Sequence, residues 1–182
     1  MRFCKKCLQP DTRPGEKFNE NGICLGCRNF ESSKNYKFDE RLPILHEIID
    51  KYRPKKKSLF DCIIGVSGGK DSIRQALWIR DKFKLKPLLV CMTWPPDHIN
   101  DRGVRNISNL INLGFDLVVS GPAPKTFKKL MRKSFLEFGN WAKASELAIY
   151  TSVPKIAINY GINLIFHGED QGQKEMQSLK EE

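Results

Sequence analysis

Long apolar runs are missing from this chain of 182 residues. No stretch approaches the ~20 consecutive apolar residues that a membrane span needs. The opening, Met1-Arg2-Phe3-Cys4-Lys5-Lys6-Cys7, is charged and sulfur-bearing where a secretory signal would be apolar. The expectation is a soluble, cytoplasmic protein with no membrane partner. Acid is scarce as well: 31 lysines and arginines face 21 aspartates and glutamates, a formal net charge of +10. The surplus reads as diffuse, with 14 basic against 8 acidic residues over 1–57 and 17 against 13 over 58–182. The one dense run, Arg53-Pro54-Lys55-Lys56-Lys57, reads as a solvated linker beside a proline. Nucleotides and nucleotide sugars are anions too, so basicity does not select RNA, and nucleic acid is not the expected partner.

Two familiar phosphate-binding spacings are also absent, G-x-x-x-x-G-K-S/T and G-x-G-x-x-G. In their place stands Ser67-Gly68-Gly69-Lys70-Asp71-Ser72, directly after the short apolar run Asp61-Cys62-Ile63-Ile64-Gly65-Val66 and ahead of a helical pattern from about residue 71 to 83. Glycines between a buried strand and a helix let successive backbone N–H groups face phosphate oxygens, and the helix dipole adds positive charge there. The Ser67 and Ser72 hydroxyls can donate hydrogen bonds, and Lys70 adds a full charge.

Cysteine is not scarce, but its placement favours metal over a disulfide scaffold. Four of the six lie in the first 27 residues as Cys4, Cys7, Cys24 and Cys27, with two residues inside each pair and sixteen between the pairs. That spacing suits a tetrahedral structural zinc site, with an iron–sulfur cluster or a redox dithiol as alternatives. Residues 1–30 have few large apolar groups, so metal binding would supply the folding free energy they lack. Cys62 and Cys91 fall in predicted buried strands, where cysteine acts as a small apolar residue.

Beyond the knuckle, helical spacing of Leu42, Leu45, Ile48, Ile49 and Tyr52 predicts a helix over 39–52 with Asp39 as its N-cap and Pro43 in its first turn. Strands are predicted over 61–66, 86–93, 115–120 and 162–167. Helices are predicted over 71–83, 100–113 capped by Gly114, 124–138, and 142–160 with a break near Pro154. The alternation implies an α/β fold, an open parallel sheet with helices on both faces. The expected domains are a zinc knuckle over 1–35, a helix and basic linker over 36–57, and an ATP-binding domain over 58–182.

Ser67, Gly68, Gly69, Asp71 and Ser72 match every defined position of S-G-G-x-D-S, so the loop resembles the pyrophosphate loop of the adenine nucleotide alpha-hydrolase-like ATP pyrophosphatases. That resemblance implies ATP cleaved between its α and β phosphates, with Mg2+ present. It implies Ser67 to Ser72 as the pyrophosphate site, with Lys70 and Asp71 taking part in the chemistry. More of the chain carries a narrower likeness: Pro10 to Gly15, Asn21-Gly22-Ile23-Cys24, Tyr52, Arg105-Asn106-Ile107, Asn112 to Asp116, Leu147 to Tyr150 and His167-Gly168-Glu169. With the knuckle and the loop, these resemble the N-acetyl sugar amidotransferases of lipopolysaccharide and flagellin-glycan biosynthesis.

The likeness implies conversion of the acetamido group of a nucleotide-linked sugar to an acetamidino group, through an adenylate and ammonia. It also implies a glutaminase partner, and a cyclase-like one, resembling the pair of histidine biosynthesis. Where the family continues Gly-Glu-Asn-Pro, this chain has Gly168-Glu169-Asp170-Gln171, and a C-terminally truncated member is the expectation. His167 reads as an ordinary strand-end residue. Two other readings stay open. A tRNA-thiolating enzyme of the same superfamily would need cysteines after the loop, where only Cys91 follows. A nucleotide-binding module without turnover needs nothing more.

Overall fold

The computed structural model describes residues 1–12, 15–34, 37–54, 58–94 and 99–168. The chain divides into two compact units, one within Met1–Ile48 and the other Ile49–Glu169.

In the larger unit the sheet grows from runs too apolar to be left in water. Strand β1, Cys62–Gly65, pairs in parallel with β2, Pro87–Met92, with Ile63 opposite Leu88 and Ile64 opposite Leu89. β2 pairs in parallel with β3, Asp116–Ser120, and β1 with the two-residue β4, Ile165–Phe166. The strand order is β3-β2-β1-β4. The chain therefore steps outward from β1 through β2 to β3, then returns to the far side of β1. That reversal opens a crevice at the carboxyl ends of β1 and β4, where open α/β sheets bind their ligands.

Both faces of the central strands are buried, as their unbroken apolar sequence requires. Ile63, Leu88 and Val90 pack with Val153 and Ala157 of helix α6, Lys143–Tyr160. The residues of opposite parity, Cys62, Ile64, Leu89 and Cys91, are buried too. On this side α3, Lys70–Phe83, packs on β2 and turns Ala76, Ile79 and Phe83 inward. Helix α4, Asp101–Asn112, packs on β3, its N-cap Asn100 accepting from the Gly103 N–H and Gly114 leaving it with φ of 83°. Full burial of one isoleucine such as Ile63 contributes about 1.5–3 kcal/mol. Helix α5, Pro124–Phe138, packs on α6.

Helix α6 is not broken at Pro154; it continues through it. Proline there removes one helical hydrogen bond and costs about 3 kcal/mol. Val153 and Ala157, on either side of it, are both buried on the sheet. A break would expose them.

Among its described residues the smaller unit has no sheet. An antiparallel bridge joins Phe3 to Pro10, and the Cys4 N–H donates to the Gln9 carbonyl at 2.8 Å. Helix α1, Leu25–Ser33, buries no residue and so left no periodic apolar signal to read. The helix expected from Asp39 begins later: a 3-10 turn, Phe38–Arg41, precedes α2, Leu42–Tyr52. With Asp39 as N-cap, Pro43 would owe the Asp39 carbonyl a hydrogen bond that it has no N–H to make. Starting at Leu42 puts Pro43 in the first turn, where no N–H is needed. Lys55 to Lys57 of the basic run, Arg13 and Pro14, and Glu169 with the tail lie outside the described residues.

Candidate functional site

The loop Ser67 to Ser72 leaves the carboxyl end of β1 beside the crevice. Gly68 has φ of 73°, a left-handed backbone that residues with a Cβ rarely adopt. A Cβ at Gly68 would also lie 2.9 Å from the Asn106 Cβ and 3.0 Å from its backbone carbonyl. Glycine is required there twice over, by conformation and by the closeness of α4. Asn106 is thus the wall of the loop, a role its place in the Arg105-Asn106-Ile107 segment did not reveal.

Gly69 is the N-cap of α3 and offers no side-chain cap, so the first-turn N–H groups of α3 have no intrahelical acceptor. The Ser67 hydroxyl accepts from the Gly69 N–H at 3.4 Å and is exposed. The Ser72 hydroxyl is turned the other way, donating to the Gly69 carbonyl at 3.0 Å within a residue only 8% exposed. Of the two hydroxyls read as phosphate donors, Ser67 faces outward and Ser72 braces the turn. Lys70 and Asp71 stand in solvent with Nζ and Oδ1 3.6 Å apart.

The α3 face that starts at Asp71 lines an open cleft of about 310 Å³ with Arg74, Gln75 and Trp78. Gln75 ties this face to the end of β4: its Nε2 donates to the His167 carbonyl at 3.0 Å. Its Oε1 is buried without a hydrogen-bond partner among the described residues. Trp78 is 40% exposed, its ring held edge-on by Phe83 at 4.8 Å. The crevice, the loop and the cleft thus share one end of the sheet.

In the other unit, the four sulfurs of Cys4, Cys7, Cys24 and Cys27 lie within 4.8 Å of one another, Cys7 and Cys24 at 3.6 Å. Four sulfurs at about 2.3 Å from one ion form a tetrahedron with edges of about 3.8 Å. The set therefore fits a single zinc-sized ion. A four-iron cluster takes each sulfur on a different iron and needs them further apart. Backbone geometry favours the thiolate form at one corner. Burial pushes the Cys4 thiol up, but the N–H groups of Cys24, Lys6 and Cys7 donate to its sulfur and bring it to about 6. Cys27 is pushed up to about 12, first by its contact with Cys7 and then by burial. Four thiolates this close need a cation among them. Burial pushes Cys62 up to about 12 and raises Cys91, which leaves both neutral thiols in the core.

No family model and no curated protein matches the chain. Solved structures resemble it loosely. A predicted subunit of tRNA methyltransferase from Methanocaldococcus jannaschii is 21% identical with a TM-score of 0.44, covering 62% of this chain and 54% of that one. Glutamine-dependent NAD+ synthetase from Acinetobacter baumannii, solved with ADP, is 18% identical with a TM-score of 0.46, covering 64% of this chain and 23% of that one. A U34-tRNA thiolase from Methanococcus maripaludis, solved with its 4Fe-4S cluster, is 15% identical with a TM-score of 0.29, covering 98% of this chain and 72% of that one. The chain thus spans about half the length of the first and a quarter of the second. Likenesses at this level carry no function, which must be argued from the residues themselves.

Proposed function

We propose that this chain binds ATP at Ser67 to Ser72 and uses it to adenylate the amide oxygen of an N-acetylated, nucleotide-linked sugar, which ammonia then converts to an acetamidino group. The observation that carries the reading is the complete S-G-G-x-D-S loop at the crevice of a parallel sheet. Its Gly68 is held left-handed against Asn106, and the first turn of α3 is left uncapped.

The chemistry follows from where charge develops. The amide oxygen attacks the α phosphorus of ATP, and the bond from that phosphorus to the bridging oxygen breaks. Pyrophosphate leaves with the electron pair, and the loop's N–H groups with Lys70 receive the growing charge, where such stabilisation lowers the barrier. Ammonia adds to the activated carbon, AMP departs with the former amide oxygen, and loss of a proton completes the amidine. Asp71, an exposed carboxylate paired with Lys70 in the loop, would suit magnesium, which takes one or two carboxylates plus phosphate oxygens. Held there, magnesium would supply charge neutralisation along the triphosphate. The sugar nucleotide would lie in the cleft, with Arg74 at its diphosphate, Trp78 under its ring and the orphan Gln75 Oε1 accepting from a hydroxyl or amide N–H. Zinc would hold the N-terminal unit, and a glutaminase would deliver the ammonia.

The test is turnover of ATP, ammonium and UDP-N-acetylglucosamine, read by phosphorus NMR and mass spectrometry. AMP, pyrophosphate and a sugar product one mass unit lighter are expected. ADP with phosphate would contradict the mechanism, and ATP binding without turnover would favour a nucleotide-binding module.

A further inference from the structure

The basic surplus that reads as diffuse along the chain is concentrated by folding. Helix α5 carries Lys125, Lys128, Lys129, Arg132 and Lys133, all exposed. At 3.6 residues per turn these five fall within about 140° of the helix circumference. Phe127, Met131 and Ser134, the least exposed residues of α5, lie on the opposite side. The cations therefore point away from the fold. The single acid of α5, Glu137, lies off the stripe and pairs with Lys133 at 3.6 Å. Among the described residues, Lys125, Lys128, Lys129 and Arg132 have no ion-pair partner.

Helix stability does not account for this arrangement. The first turn of α5 holds no acid and its last turn no base. Lys125 stands in the first turn, where the backbone dipole is positive, and Glu137 in the last, where it is negative, the reverse of the stabilising order. An anion at this face would relieve both the mutual repulsion and the dipole mismatch.

We propose that the outward face of α5 is an RNA-docking surface, its five cations following a phosphate backbone. From Lys125 to Lys133 the helix rises about 12 Å, long enough to meet more than one phosphate of a backbone. Four of the five cations are lysines, which suit phosphate as point charges but are depleted at protein–protein interfaces. Phe135, at the edge of the stripe, and Trp141, just past the end of α5, are each more than half exposed, rings on which unpaired bases can stack. Stacking favours RNA loops and single strands over duplex DNA. The proposal does not depend on the reaction proposed for the ATP loop.

Fluorescence anisotropy of labelled tRNA with the full chain tests this. Binding is expected to fall with salt at a log–log slope of about −3 to −4, or about 100-fold between 50 and 200 mM. The triple variant Lys128→Glu, Lys129→Glu, Arg132→Glu is expected to bind tRNA at least ten-fold more weakly with a flatter slope. Its ATP affinity and its melting temperature should stay close to those of the parent chain, since all three side chains are exposed. A control with the same charge change elsewhere, Lys51→Glu, Lys82→Glu, Lys155→Glu, should lose far less. Trp141→Ala is expected to weaken tRNA about five-fold or more at an unaltered slope. Equal loss in both triples, tRNA binding that is absent at 50 mM salt, or duplex DNA held as tightly as tRNA would each overturn the proposal.

Discussion

The two units of this chain solve the same problem with opposite materials. In Ile49–Glu169 the interior is aliphatic: Ile63, Ile64, Leu89 and Ile79 are all at or below 1% exposure, and helices cover both sheet faces. Among the described residues of Met1–Ile48 the buried apolar side chains are Cys4 and Cys24 alone, while Phe3, Leu8, Phe30 and Ile44 lie open. One unit is held by area removed from water, and the other gathers four sulfurs that fit an ion. A small segment cannot bury enough surface to offset chain entropy, and a bound zinc contributes about 10–16 kcal/mol of apparent folding free energy. The comparison teaches where each unit is vulnerable.

Metal removal should produce the largest effect, and on one unit only. A strong chelator is expected to abolish the structure of the N-terminal unit while the thermal transition of the sheet unit stays in place, and elemental analysis should find one zinc per chain. Thiol labelling at pH 8 sharpens the contrast. Chelation should open four cysteines to alkylation, whereas Cys62 and Cys91, neutral and buried, should react only when the sheet unit melts. Six thiols labelled at once on chelation would mean that the units are not independent.

Next in size, Ile63→Ala should lower the stability of the sheet unit by about 2–5 kcal/mol, measured by urea denaturation. Zinc content should not change. Smaller again is the effect of the loop glycines. Gly68→Ala forces a Cβ into a left-handed position already filled by Asn106, with a strain of about 1–3 kcal/mol. ATP affinity by calorimetry should fall ten-fold or more. Gly69→Ala meets only the Ser67 hydroxyl, at 3.4 Å, and should cost far less. Equal losses would mean that the left-handed turn is not what shapes the phosphate site.

How much of this could be read beforehand differs between local and tertiary features. The strand-loop-helix context of Ser67 to Ser72, the cysteine spacing, and helix α5 from Pro124 to Phe138 were legible because each is encoded within a few residues of itself. Asn106 as a wall of the loop was not, since its neighbour Gly68 is 38 residues away in sequence. The unbroken course of α6 through Pro154 was hidden for the same reason: propensity argues for a break, and only packing on β1 and β2 argues against it. Counting charge along the chain does not show which cations share a face. Lys125 to Lys133 form a stripe only once the helix winds them onto one side. Helix α1 left no trace because it buries nothing.

The smallest effects separate the two serines of the loop. In S-G-G-K-D-S both hydroxyls look alike, and sequence assigns them the same task. The structure gives the Ser72 hydroxyl to the Gly69 carbonyl in a nearly buried position and leaves the Ser67 hydroxyl exposed, accepting a long bond from the Gly69 N–H. Ser72→Ala should therefore cost about 0.5–1.5 kcal/mol of stability in the sheet unit, the worth of one internal hydrogen bond, with ATP affinity nearly retained. Ser67→Ala should leave the melting curve in place and weaken ATP by several-fold, since it removes a donor that only the ligand uses. Measured side by side by thermal melting and calorimetry, the two variants should fail in opposite columns. A common loss of ATP affinity with no change in stability would show that Ser72 swings round to the phosphate when the nucleotide arrives.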